Sequence, residues 1–436
     1  MKTSIWWQRT FGLAAVAVWS VTFSHQATAY PLDGYGTTGI GRLEAARRIQ
    51  EGAMRGKKQP PGALMHAKQV DLRLLDRPNL TLPKNDAALK AKIVKFLGGY
   101  ADRYGISVLD LSDPQNPRYA EHRGDVKQNP GSVGKIVVAL AIFQALADIY
   151  PNDIEARKKI LKETIITADV FHKYDHHTIR MWNPDTEKLT RRPMRNGDRG
   201  SMWEYLDWMM SPSSNAAAGM LMKHLILLSH FGKRYPVSDA EAAAFFKQTR
   251  KKELGKILAK AIQEPITRNG LTLESLRQGS FLTAEGKKRV PGTSSYATSR
   301  ELMRFMLLVE QGKLVDPFSS REIKRLLYVT ERRIRYASSP ALRKSAVYFK
   351  SGSLYKCAKE AGFKCKKYHG NVRNYMNSLA VVEDPPGDTQ LFYIVTVLSN
   401  VLKKNSAVDH QTLATRIHRL MQKAHPTQQS RRPSPQ

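Results

Sequence analysis

The sequence predicts an α/β chain of the α+β kind, with one sheet assembled from both ends and an all-α lobe inserted between them. Three observations carry this. β-rich segments occur near residue 106 and again beyond residue 346. The stretch from about 151 to 290 is charged and helix-forming. An almost wholly apolar helix, Ser132 to Tyr150, precedes that stretch and should be buried on every side.

The compact part begins near Asn85. Leu89, Ile93, Phe96 and Leu97 share one helical face, which the Gly98-Gly99 pair stops. Ile106 to Leu111 is β-rich and runs into the turn Asp113-Pro-Gln-Asn-Pro117. The helical block carries Trp203, Trp208 and a methionine-rich stretch around 209–222. Thr298-Ser-Arg-Glu301 is a capping box, and the amphipathic helix it opens is closed by Gly312. Strands return at Ala346 to Ser351, Leu379 to Glu383 and Leu391 to Leu398. A last helix puts Leu413, Ile417, Leu420 and Met421 on one face.

The ends of the chain bear on its compartment. Lys2 and Arg9 flank a short apolar run, Phe11 to Phe23, which ends at Ala27-Thr-Ala29. This is the pattern of a secretory leader over residues 1–29, with cleavage expected before Tyr30. The run is shorter than the roughly 20 apolar residues of a spanning helix. No later stretch is read as spanning, so a periplasmic or secreted, not transmembrane, mature protein is expected. Residues 30–84 read as an N-terminal basic arm, 85–423 as the catalytic domain and 424–436 as a disordered tail. Gly34, Gly36 and Gly39 spell G-x-G-x-x-G, but no strand precedes them, so they make no dinucleotide site and no cofactor is expected.

Seventy Lys and Arg against 38 Asp and Glu give a formal charge of +32. Loss of the leader removes two of those charges. Such a field attracts polyanions. Outside the cytoplasm these are anionic cell-wall polymer, lipopolysaccharide or anionic lipid. No zinc-finger spacing or RNA-binding aromatic signature points to specific nucleic acid. The only two cysteines, Cys357 and Cys365, fall in the exported portion, where a disulfide would staple a short lysine-rich loop. His172, His176 and His177 with Asp175 suggest a metal site at first sight. The stretch lacks a helical pattern, so surface histidines and no metal are expected.

Three short motifs carry chemistry. Ser132-Val-Gly-Lys135 opens the buried helix, one turn separating the hydroxyl from the amine. A serine hydroxyl needs a base beside it, and a lysine can be that base only where burial or nearby cations lower its pKa. Ser213-Ser214-Asn215 and Lys350-Ser351-Gly352 follow. Gly352 is expected to let a substrate backbone lie close against its strand.

In this order, S-x-x-K, S-x-N and K-[ST]-G describe penicillin-binding proteins and class A β-lactamases. The chain resembles that superfamily of serine hydrolases from about Asn85 to Lys423, and class A β-lactamases most closely. Tyr296 to Met303, with Leu307-Leu308, looks like the segment after the family's Ω-loop. The resemblance implies an antiparallel sheet and an acyl-enzyme formed on Ser132 with Lys135 as base. It makes Ser213 the proton relay to the leaving nitrogen and has Asn215 hold Lys135 and the substrate amide. Lys350 and Ser351 would bind a substrate carboxylate, and the amides of Ser132 and Ser353 would form the oxyanion hole.

Two departures limit what is carried over. The family's Glu-x-x-x-Asn finds only Glu264-Pro-Ile-Thr-Arg-Asn269, displaced by one residue, with Glu285 and Glu274 as alternatives for a deacylating acid. The arm, the lobe and the loop from Lys356 to Arg373 also exceed a minimal β-lactamase. The expected activity is an exported serine hydrolase acting on β-lactam or D-Ala-D-Ala-like peptidoglycan amides. A true class A β-lactamase with a remodelled Ω-loop and a wall-binding protein without turnover are the alternatives.

Overall fold

The computed structural model describes residues 33–331 and 333–426. The expected leader, and all of the expected tail beyond residue 426, lie outside the described residues.

Two short helices come first, α1 (Gly34–Thr38) and α2 (Gly41–Glu51), followed by α3 (Ala87–Leu97). Strands β1 (Tyr104–Asp110) and β2 (Arg118–His122) form a hairpin that leads into helix α4 (Lys135–Ile149). The lobe contains α5 (Ile154–Glu163), β3 (Ile165–Thr167), β4 (Thr178–Asn183), β5 (Lys188–Pro193) and β6 (Arg199–Ser201). It continues with α6 (Met202–Met210), α7 (Asn215–Phe231), α8 (Asp239–Gln248) and α9 (Lys251–Arg268). The chain then passes through β7 (Leu276–Arg277), α10 (Ala284–Arg289), β8 (Tyr296–Ala297), α11 (Ser299–Glu310) and α12 (Pro317–Tyr328). It closes with β9 (Ala346–Lys356), β10 (Arg373–Asp384), β11 (Leu391–Asn400) and α13 (Ser406–Ala424).

The main sheet is five-stranded and antiparallel, in the order β2-β1-β11-β10-β9. Its two faces follow from the two-residue period of strand side chains. Leu109, Tyr348, Leu379, Val381, Phe392 and Ile394 face the helical body. Val108, Val347, Phe349, Ala380, Tyr393 and Val395 face α3 and α13. With apolar residues on both faces, the sheet lies between two hydrophobic layers. Strand β9 is its edge, and the turn that opens α4 packs against it.

Several expectations are refined. The inserted lobe holds two short ribbons, β3–β6 and β4–β5, within a stretch that its sequence predicts to be helical. Strand β10 starts at Arg373, ahead of the expected Leu379. Its early positions are polar yet buried, because Asn374 donates to the carbonyls of Val401 and Lys404, and Asn377 to that of Asn129. The capping box forms by half. Thr298 Oγ1 accepts from the Glu301 amide, whereas the Glu301 carboxylate accepts from the Thr272 amide at 2.6 Å. The helix from Gly131 to Ile149 is, by length and composition, apolar enough to cross a membrane, contrary to the expectation that no later stretch is; its window is 72% buried inside the protein.

Residues of the predicted arm enter the core. Ile40, Leu43, Val70, Leu72 and Leu74 are buried with the lobe and α12. The Arg42 guanidinium is buried against Asp207. Asp71 and Arg73 border a charge cluster closed from solvent. In it Lys324 Nζ lies 2.9 Å from both Glu310 and Glu383, Arg73 Nε lies 3.0 Å from Glu383, and Tyr348 donates to Glu383 at 2.9 Å. Two cations and two carboxylates offset one another there, which is how charge can be held away from water.

Candidate active site

Ser132 lies in the turn Gly131–Gly134 that runs directly into α4, and Lys135 is the first residue of that helix. Gly131 has φ +53°, the left-handed region glycine enters without penalty. A Cβ there would lie 3.2 Å from the Ser353 amide. Gly352 shows the same closeness from the other side, since a Cβ on it would fall 2.4 Å from the Pro130 carbonyl and 2.6 Å from the Ser132 amide. Gly352 thereby has a role the sequence does not show. Its missing side chain admits the protein's own nucleophile turn. The amide-bearing segments of Ser132 and Ser353, predicted as oxyanion donors, are in contact as a result.

Lys135 is fully buried, and its Nζ joins the motifs. It lies 3.0 Å from Ser132 Oγ, 2.7 Å from the Ser213 carbonyl, 3.3 Å from Ser213 Oγ and 2.7 Å from Asn215 Oδ1. Burial lowers its pKa to about 7, with the charge of Asp175 opposing the fall. A neutral amine keeps two N–H bonds, enough for the Ser213 carbonyl and Asn215, and one lone pair directed at the Ser132 hydroxyl. That is the state a base requires.

Ser213 sits at φ +66°, a conformation costly for a side-chain-bearing residue and kept where the surroundings enforce it. Its carbonyl accepts from Lys135, and its hydroxyl accepts from Lys350 Nζ at 2.8 Å. Ser214 caps α7 through the Ala217 amide. Lys350 is buried on β9, and burial, then the charges of Lys135 and Arg335, hold its pKa well below the usual lysine range. Proton-bearing groups thus run without a gap from Ser132 through Lys135 and Ser213 to Lys350.

The cleft around them has a volume of about 850 Å³ and is lined by Ser132, Ser213, Asn215, Lys350, Ser351 and Ser353 among others. A smaller cavity of about 330 Å³, beside Thr38 and Trp203, contains none of the motif residues. The predicted deacylating acids do not line the cleft. Glu264 lies on an outer face of α9 beside Lys260, and Glu285 on α10 pairs with Arg289. Glu274 does not line it either. Cys357 and Cys365 are joined as a disulfide. The loop they staple runs on to Lys367 and Tyr368, which form part of the cleft wall.

One group escaped the sequence reading, and a second was considered there only as a metal ligand. Arg335, at φ +54°, donates to Ser351 Oγ at 2.7 Å, Ser353 Oγ at 3.0 Å and the Tyr368 hydroxyl at 3.0 Å, its guanidinium 4.9 Å from the Tyr368 ring centroid. No short motif marks an arginine that reaches its partners across a loop. The second is Asp175. Its Oδ2 accepts from Ser214 Oγ at 3.0 Å and the Ala216 amide at 2.9 Å, and its Oδ1 contacts His177 Nδ1 at 2.6 Å. Asp175, His176 and His177 lie close enough to share an ion. Both Asp175 oxygens are already engaged, however, which suits an orienting carboxylate better than a metal ligand.

The sequence matches a family described as the beta-lactamase enzyme family over residues 88–364, more than half of the chain. A comparison with curated proteins finds no match. Among solved structures, a beta-lactamase from Sphaerobacter thermophilus is 14% identical, covering 77% of this chain and 96% of that one, with a TM-score of 0.50. A beta lactamase from Xanthomonas campestris pv. campestris is 16% identical, covering 76% and 97%, with a TM-score of 0.49. A structure titled PBP-A is 15% identical, covering 79% and 100%, with a TM-score of 0.48. At such identities the likeness to the Sphaerobacter protein concerns the fold.

Proposed function

Because this chain belongs to the beta-lactamase enzyme family, we propose that it is an exported serine hydrolase that opens β-lactam or D-Ala-D-Ala-like amides through an acyl-enzyme on Ser132. The observation that carries the reading is the 3.0 Å contact between Ser132 Oγ and a fully buried Lys135 Nζ whose pKa lies at about 7. Lys135 takes the hydroxyl proton as Oγ attacks the carbonyl. The proton passes through Ser213 to the departing nitrogen, and the Ser132 and Ser353 amides hold the developing oxyanion. Donors of that kind are commonly worth about 3–4 kcal/mol each in the transition state.

Arg335 supplies positive charge beside Ser351, and Lys350 a further hydrogen-bonding group, which suits a substrate that carries a carboxylate near the scissile amide. The disulfide supports export, since such bonds persist in oxidising compartments. The formal charge of +32 supports contact with an anionic wall polymer.

Intact-mass spectrometry after exposure to a fluorescent penicillin tests the reading. The expected result is an adduct on the wild type that is absent from Ser132→Ala. Identical spectra for the two proteins would remove Ser132 from the chemistry.

A further inference from the structure

An acyl-enzyme must be cleared by water, and a base must take the water's proton. Neither Glu264 nor Glu285 lines the cleft. Of the groups that do, Glu331 is committed to Arg180 at 2.8 Å and its side chain is 3% exposed. His176 is exposed and stacks on His177, with ring centroids 4.4 Å apart. His177 differs in being anchored. Its Nδ1 lies 2.6 Å from Asp175 Oδ1 and its amide donates to the same oxygen, while its side chain stays 27% exposed.

We infer that His177, oriented by Asp175, is the general base that hydrolyses the acyl-enzyme, a step that rests on the acyl-enzyme reading above. Asp175 is held by the hydroxyl of Ser214 and the amide of Ala216, the two residues that flank Asn215. Asn215 in turn contacts Lys135 at 2.7 Å. The histidine and the nucleophile's base are therefore both tied to the turn from Ser214 to Ala216, and His177 lines one cleft with Ser132. With the Nδ1 proton donated to Asp175, Nε2 carries the lone pair, the tautomer a base needs. Burial holds His177 below its usual range, with the charges of Lys135 and His176 acting the same way and Asp175 opposing them, a shift toward the neutral ring. Glu331, Arg191, Arg333, Arg335 and Lys367 are other charged groups lining the same cleft.

In the step itself, water attacks the ester carbonyl carbon on Ser132 while one of its protons passes to His177 Nε2. The bond from carbon to Oγ then breaks, the carbon keeps the water oxygen, and the proton on His177 goes to Ser132 Oγ. One water is consumed, and the product acid and free enzyme result.

The test follows acylation and deacylation separately, by stopped flow and intact mass with a fluorescent penicillin. It uses the wild-type protein, His177→Ala, His177→Gln and Glu264→Gln. His177→Ala should still form the adduct and should clear it roughly 10²- to 10⁴-fold more slowly, the usual contribution of a positioned base. Imidazole added to the buffer should restore part of the loss in His177→Ala, which a purely structural role would not allow. Should His177→Ala fold poorly, His177→Gln reads the same step with the volume largely kept. Glu264→Gln should match wild type. Clearance by both histidine variants at the wild-type rate would overturn the inference. So would a chelator that slows the wild type as much as the substitution does, since Asp175, His176 and His177 would then be holding an ion. A wild type that never forms an adduct would instead sink the acyl-enzyme reading, and this step with it.

Discussion

Arg42 meets Asp207 in a two-pronged pair, Nε to Oδ2 and Nη2 to Oδ1, both 2.6 Å, with the aspartate closed from solvent. The same guanidinium donates to the Val329 carbonyl at 2.7 Å. One residue of α2 thus ties α6 to the end of α12. Arg42→Met should leave a buried carboxylate without its main partner and cost about 3–5 kcal/mol. Urea unfolding measures this directly, and a loss below about 1 kcal/mol, typical of a surface pair, would contradict it. A deletion of residues 30–84 should for the same reason lower stability, and cannot serve as a clean test of polymer binding.

The acylation rate should depend on pH through Lys135. The active form is the neutral amine, and burial brings its pKa to about 7. The rate should therefore be level above that value and fall about tenfold per unit below it, as the fraction of neutral amine falls. Asp175 raises this pKa, so Asp175→Asn should move the limb to lower pH. A limb that stays in place would mean that another group controls the step.

Arg335→Ala removes a cation beside Ser351 and Ser353. A charge-assisted hydrogen bond is worth about 1.5–3 kcal/mol. KM for a carboxylate-bearing β-lactam should accordingly rise roughly ten- to a hundredfold, with kcat changed much less. A substrate esterified at that carboxylate should show little difference between the two proteins.

Replacing Cys357 and Cys365 by serine opens a short loop. In the chain-entropy model the global loss is about 2–3 kcal/mol. The variant should therefore stay folded and keep Ser132 reactive, by the same penicillin labelling. Failure to fold would mean that the staple supports more than its own loop.

The three motifs were legible because each is local. Ser132 and Lys135 share a helical turn, and Lys350 to Gly352 share a strand. A single sheet assembled from both ends was legible from β-rich segments at either end of the chain. What escaped depends on contacts far apart in sequence. Asp175 gains its meaning from Ser214, and Arg335 from Tyr368. Strand β5 of the ribbon carries Lys188, Thr190, Arg191 and Arg192 and has mostly exposed side chains, so it shows no alternation to read. The arm looked polar because Arg42 and Arg73 find their carboxylates in α6 and β10.

Strand β11 is the centre of the sheet and nearly its last part to be made, with β1 on one side and β10 on the other. Tyr104 must wait for Ser399 before it has a partner on that side. Assembly cannot run from the first residue to the last. Helices of the lobe can gather early through local contacts, while the hairpin β1–β2 stays unjoined to the strands that follow. A nascent chain halted before Leu391 already holds Ser132, Lys135, Ser213 and Lys350. It still lacks the strand that binds the two halves of the sheet together, so the setting of these four residues is completed only once Leu391 to Asn400 has been made.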